Sequence, residues 1–229
     1  MTVQFERDME KLHGRILSMF GAVEEAIHRA VGGLHAKNGD IVKELLDRDR
    51  EIDRQDIEIE EACLKILTLH QPVARDLRRV TTVFKIIGEL ERVADLAVNI
   101  SERAAGIADF PDAKIPSDLR EMSRISLNML HRSIDAFVAL NVNVARQVCD
   151  DDDKVDRLND EAIRELQSRM VEDSDQIIPL MHLFSATRHI ERVADHATNI
   201  AEGVVYMVSG EIIRHGNDGT DWTATSGGS

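Results

Sequence analysis

Glu91, Asp95 and Asn99 stand four residues apart, and the chain repeats them one hundred residues later as Glu191, Asp195 and Asn199. Between 91–102 and 191–202 the two copies differ only at Leu96/His196, Val98/Thr198 and Ser101/Ala201. On an α-helix, residues at i, i+4 and i+8 stack along one side within an arc of about 80°. A column of carboxylate, carboxylate and carboxamide oxygens suits a hard cation such as Mg²⁺, Mn²⁺, Ca²⁺ or Fe³⁺ better than zinc or copper. It can also be nothing more than a solvated helix edge.

Two further acidic columns accompany the motifs. With Asp49 at zero and about 100° per residue, Asp53, Asp56 and Glu60 fall within about −20° to +40°. Ile52, Ile57, Ile59, Cys63, Leu64 and Leu67 share that arc, while Arg50, Arg54, Glu58, Glu61 and Lys65 point away. Asp152, Asp156 and Asn159 lie in the same way among Val155, Ala162, Leu166 and Met170. On the motif helix Glu91, Asp95 and Asn99 border a core face of Phe84, Ile87, Leu90, Ala94 and Val98. Arg78, Lys85, Glu89, Arg92 and Arg103 gather on what reads as its solvent face.

An inward carboxylate costs on the order of several kcal/mol unless a cation compensates it. Local basic residues point away, so bound metal is the simplest compensation; a water-filled groove is the alternative. Four columns in two repeats favour metal. The expected ligands are Asp49, Asp53, Glu91, Asp95 and Asn99 in one site, with Asp152, Asp156, Glu191, Asp195 and Asn199 in its mirror. Facing columns hold more acids than one ion needs, so each site has capacity for a multinuclear cluster.

The elements that must position these residues are helical. The 229 residues are 43% hydrophobic but only 3% aromatic, with 13 Gly and 4 Pro, and no segment alternates as a strand would. Phe5, Met9, Leu12, Ile16, Val23, Ile27 and Leu34 predict a long first helix, ending at Gly32-Gly33 or at the Lys37-Asn38-Gly39 turn. Asp40 is the expected cap of a second helix reaching Leu69, where Gln71-Pro72 breaks it. A third spans about 73–108, and Phe110–Pro116 forms a linker. Ser117 is the expected cap of a fourth that carries Val144; a fifth starts between Ala145 and Asp150 and ends near Val171. A sixth runs from Asp175 to Ile213. The expected architecture is all-α: two tandem three-helix bundles, 1–109 and 117–215, related by internal duplication, with a disordered tail over 216–229.

Several functions are set aside. A net charge of −14 argues against nucleic acid as a partner. Glu10-x-x-His13 and Glu25-x-x-His28 match the di-iron pattern, but that site needs its copies on different helices, and both fall on the first. His189 and His196 read as surface histidines. No nucleotide-binding or hydrolase signature occurs, and nothing indicates an enzyme. Cys63 and Cys149 read as buried thiols, which fits a reducing cytoplasm. No stretch reaches the ~18 apolar residues of a membrane span, so the expected location is cytoplasmic, with membranes met only through partners.

The chain resembles the PhoU family of phosphate-transport regulatory proteins. The resemblance rests on Glu91-x-x-x-Asp95 and Glu191-x-x-x-Asp195, each followed by Asn, and on Gln71-Pro72-Val73-Ala74-Arg75-Asp76-Leu77-Arg78. The stretch Val205-Tyr206-Met207-Val208-Ser209-Gly210-Glu211 with Arg214-His215 adds to it. It implies two three-helix bundles with metal clusters at the acidic motifs. It also implies a cytoplasmic, often dimeric adaptor that links the ATPase subunit of a phosphate ABC transporter to a sensor histidine kinase. Such an adaptor holds down the phosphate-starvation response when phosphate is plentiful. The family's metals are iron and zinc, whereas oxygen ligands alone favour manganese or magnesium. A metal-free helical scaffold, or a carboxylate-metal phosphatase or oxidase, would be the other ways to use the same acids.

Overall fold

The structure, a computed structural model, describes residues 3–213. Arg214, His215 and the 216–229 tail lie outside the described residues. Six helices follow in order: α1 (Val3–Ala36), α2 (Val42–His70), α3 (Ala74–Ala108), α4 (Ser117–Ala139), α5 (Val142–Glu172) and α6 (Ile177–Ser209), the last preceded by a 3₁₀ turn over Ser174–Gln176. The described residues contain no strand.

The helix ends depart from the expected caps for local reasons. At the end of α1, Lys37 takes a left-handed conformation (φ 52°) and the Asn38 amide donates to the Gly33 carbonyl at 2.9 Å. This closure needs no glycine at the left-handed position. Asp40 does not cap α2: Ile41 occupies the N-cap without a side-chain bond, and the Asn38 Oδ1 accepts the Asp40 amide instead. Ser117 is the first residue of α4 rather than its cap, the N-cap being Pro116. Leu140 ends α4 in the left-handed region (φ 52°), and Asn141 caps α5 by accepting the amides of Asn143 and Val144. Val144 therefore belongs to α5, which begins earlier than its sequence implied. Gly210 (φ 75°) stops α6 short of Ile213.

Gly39 has a packing role. A Cβ there would lie 2.9 Å from the Ala105 Cα on α3, and backbone cannot yield as a side-chain tip does. Gly39→Ala should lower stability by about 1 kcal/mol, read as a reduced midpoint in urea unfolding.

Each half packs as expected, with α2 and α1 on α3, and α5 and α4 on α6. A second interface was not legible: α3 also packs along α6, and α1 touches α4. The α3–α6 pair is antiparallel, since Glu89 meets His196 while Gly106 lies against His182. The hydrophobic core is consequently one continuous cluster fed by all six helices.

This seam corrects the reading of α3. Thr82, Val93, Leu96, Ile100 and Ile107, on or beside its supposed solvent face, are buried, and Phe84 from the supposed core face is 38% exposed. On α2 the acids border the core instead of bisecting it: Ile52, Ile59, Cys63 and Ile66 are buried, but Ile57 and Leu64 are more than half exposed. Cys63 and Cys149 are free and buried, and burial pushes both thiols up to about 12.

Candidate functional site

The acidic columns face each other as the helix arithmetic requires. In the first half α2 presents Asp49, Asp53 and Asp56 toward Glu91 and Asp95 of α3. Burial, followed by repulsion from Asp53 and Asp95, raises Asp49 to about 6. Glu91 is also raised, first by burial and then by Asp95, with Asp56 and Asp53 adding to it across the helix pair. Burial together with Glu60 and Asp53 raises Asp56. In the second half burial and Asp195 lift Glu191, with Asp156 contributing. Asp195 rises through burial and Asp156. The pairing α2 with α3 and α5 with α6 is thus the one that brings the carboxylates together.

Four oxygens on these columns are buried and lack any hydrogen-bond partner: Asp49 Oδ1, Asp56 Oδ1, Asn159 Oδ1 and Glu191 Oε2. Asn159 is the clearest, because its residue is only 5% exposed. A buried acceptor without a donor carries a desolvation cost of about 1–3 kcal/mol. Oxygen donors in this state fit a hard cation as their missing partner. Among the described residues no three His, Cys, Asp or Glu side chains converge closely enough to hold an ion as they stand. The columns are facing ladders of oxygen, with mutual repulsion between their rungs.

Two expected ligands lie differently. Asn199 donates its Nδ2 to the Glu89 Oε2 at 3.0 Å, so it reaches across the α3–α6 seam and away from α5. Asp152 accepts from the Thr198 hydroxyl at 3.3 Å, which ties the α5 column to α6. Asn99 is half-buried one turn beyond Asp95. Basic residues do not all point away, either. The Arg92 guanidinium lies 3.3 Å from Glu91 and 3.4 Å from Asp95, and Arg188 lies 3.1 Å from Glu191. These arginines are 59% and 47% exposed, so each pair is worth at most about 1 kcal/mol.

The histidines on α6 are not surface groups. His196 Nδ1 sits 2.7 Å from Glu89 Oε2, and those bonds from His196 and Asn199, set against burial, hold Glu89 below its usual range. His189 is half-buried beside Arg103, and burial lowers it. Their seven-residue spacing was the available signal, since it places both on one stripe. Glu10, His13, Glu25 and His28 do share α1; Glu25 is ion-paired to Arg48 at 2.7 Å and His13 stacks on Phe137.

A family model described as the PhoU domain matches residues 16–104 and again 119–204, one match for each half of the helix set. The chain belongs to the PhoU family. The phosphate-specific transport system accessory protein PhoU of Escherichia coli (strain K12) is 32% identical over 219 residues, covering 95% of this chain and 91% of its own. A PhoU homolog of the same description from Aquifex aeolicus is 36% identical over 91% of this chain and 95% of its own. The crystal structure of PhoU from Pseudomonas aeruginosa superimposes with a TM-score of 0.87 at 31% identity, covering 90% of this chain and all of that one. The phosphate transport system regulatory protein PhoU of Streptococcus pneumoniae gives 0.84 at 25% identity, over 92% and 99%. PhoU proteins are accessory and regulatory proteins, not enzymes. No helix among the described residues is long and apolar enough to cross a membrane.

Proposed function

We propose that this chain is an accessory protein of a phosphate transport system and acts there as a negative regulator of phosphate uptake and of the phosphate-starvation response. It works as a dimeric cytoplasmic adaptor, meeting the transporter's ATPase subunit on one side and a sensor histidine kinase on the other. The observation that carries this reading is the match over more than nine-tenths of both chains to relatives named as accessory proteins of phosphate-specific transport. The two acidic ladders serve as cation sites that brace α2 on α3 and α5 on α6. Asp49, Asp53, Asp56, Glu91 and Asp95 would hold ions in one half; Asp152, Asp156, Asn159, Glu191 and Asp195 would hold them in the other. Manganese, magnesium, iron and zinc are the candidates, and the all-oxygen donor set favours the harder ions.

Affinity capture from cells grown at high and at low phosphate tests the role. The tagged chain should retain a transporter ATPase and a histidine kinase in amounts that change with phosphate, and retention indifferent to phosphate would remove the regulatory reading. One observation favours a second reading, a scaffold without metal: Arg92 and Arg188 partly neutralise the ladders by themselves. Metal analysis of protein purified without chelator separates the two.

A further inference from the structure

Where α5 turns into α6, the large apolar side chains of Val171, Ile177, Ile178 and Met181 are exposed. Ile178 is 61% exposed and Met181 53%. Spacings of three and four put Ile177 and Ile178 beside Met181 at the start of α6. The core contacts of that stretch are already made by Pro179, Leu180 and Leu183, which are buried. Exposed apolar side chains gathered inside a polar rim mark an interaction surface.

The rim here is acidic. Glu172, Asp173 and Asp175 are exposed in the same turn. Beside it, the end of α3 and the linker border a hollow of about 320 Å³, whose lining includes Asp109, Phe110, Asp112, Asp175 and Pro179. Asp109, Asp112 and Asp175 make no ion pair among the described residues. Basic residues at this end are engaged elsewhere: the Lys37 ammonium donates to the Phe110 and Pro111 carbonyls, and Arg169 donates to the Lys114 carbonyl at 2.7 Å. Folding alone does not require the acidic face, because the duplicated turn between α2 and α3 is built with the opposite charge. There Arg75, Arg78 and Thr81 stand in place of Asp175, Ile178 and Met181. A second copy would offer that turn poorly as an occupant: Arg75 is exposed, but the Arg78 guanidinium lies against Gly210 and Arg79 leans toward Asp76 at 4.0 Å.

We propose that this face docks a basic amphipathic helix of a partner protein. The apolar side of that helix rests on Ile177, Ile178 and Met181, the mode in which amphipathic helices anchor in apolar grooves. A lysine or arginine at its edge enters the hollow, with its aliphatic stem on Phe110 and Pro179 and its charge among Asp109, Asp112 and Asp175. The same acids repel anionic membranes and nucleic acids. The face lies at the start of α6, away from Glu191 and Asp195, and stands whether or not the ladders bind metal or the chain regulates phosphate uptake.

Fluorescence anisotropy of the full chain with a labelled leucine–lysine helical peptide of about five turns tests it, beside a twin carrying glutamate in place of lysine. The lysine peptide should bind with a Kd below about 100 µM, and the glutamate twin about tenfold more weakly or worse. Ile178→Ser/Met181→Ser should weaken the lysine peptide about tenfold or more, the loss expected when buried aliphatic contacts are removed. Asp112→Asn/Asp175→Asn should weaken it severalfold and flatten its dependence on salt. Leu64→Ser, at an exposed apolar position on α2, should leave the affinity unchanged. All these positions are exposed, so the replacements leave the core intact. Absence of binding, or an affinity indifferent to Ile178→Ser/Met181→Ser, would overturn the face, as would equal weakening by Leu64→Ser. Equal binding of the glutamate twin would overturn the basic character of the partner. Self-association of the chain alone, seen by sedimentation and abolished by Ile178→Ser/Met181→Ser, would overturn the proposal by giving the face to a second copy.

Discussion

Stripped with chelator and then given Mn²⁺ at one hundred times its Kd, the protein should gain about 2.7 kcal/mol of stability per site by mass action. For a chain of this size that is about 5–10 °C in Tm. The direction follows from the ladders. Asp49, Asp56, Glu91, Glu191 and Asp195 all have raised pKa values, with burial the leading cause and neighbouring carboxylates adding to it in every case. Raised carboxylates destabilise the folded state near neutral pH, and a cation between the columns removes that repulsion. The double variant Asp95→Asn/Asp195→Asn then carries a two-part signature. Without metal it should match or exceed the parent's stability, because two repelling charges are gone; with Mn²⁺ it should show little or no further gain. Differential scanning calorimetry in both conditions reads the two parts separately. A parent Tm indifferent to Mn²⁺, Mg²⁺, Fe²⁺ and Zn²⁺ would leave the arginine-braced scaffold as the reading.

What made the ladders legible from sequence, and the seam illegible, is a difference in the kind of pattern each leaves. Asp49/Asp53 and Glu91/Asp95 are carboxylates at helical spacing beside apolar residues, which is a local signal. Facing columns follow once consecutive helices are taken as antiparallel neighbours. The α3–α6 contact joins elements about one hundred residues apart, and α3 meets α6 partly through polar residues. Lys85, Glu89 and Arg103 looked like a solvent face because the arithmetic allows a helix one buried face, whereas α3 has two. Leu96 and Thr82 were the contrary sign, an apolar residue and a small one among the charges. The same omission placed His196 at the surface, when its imidazole is held by Glu89. Asn199 was placed with the metal site on its repeat with Asn99; the seam adds a contact that the repeat does not announce, its Nδ2 donating to Glu89 of α3.

Helix starts failed on different grounds. Asp40 and Ser117 have the residue types of caps, yet Ile41 and Pro116 stand at those positions because the turns before them set the backbone. Leu140 in a left-handed conformation is a stop that no sequence rule announces, since glycine is the residue expected there.

Acid should weaken this fold through His35. The side chain sits in the last turn of α1, half-buried, with its Nδ1 lacking a hydrogen-bond partner. Burial, with Arg120 adding repulsion, lowers it to about 4. A histidine depressed in the folded state is neutral there and takes up a proton more readily when unfolded. Its stabilising contribution is therefore complete above about pH 6.5 and is lost as pH falls toward 4. Discounted for partial solvent access, the loss is about 2 kcal/mol. The ladders oppose it in the same window, because Asp49, raised to about 6, relieves its repulsion on protonation. Total stability against pH would mix the two effects, so the quantity to measure is the difference between the parent and His35→Leu. In urea unfolding at about pH 7 and about pH 4.5, that difference should shift by about 2 kcal/mol in favour of the variant as the pH falls. A difference constant across the range would mean that His35 protonates as readily in the folded chain as in the unfolded one, and that the end of α1 is open to water.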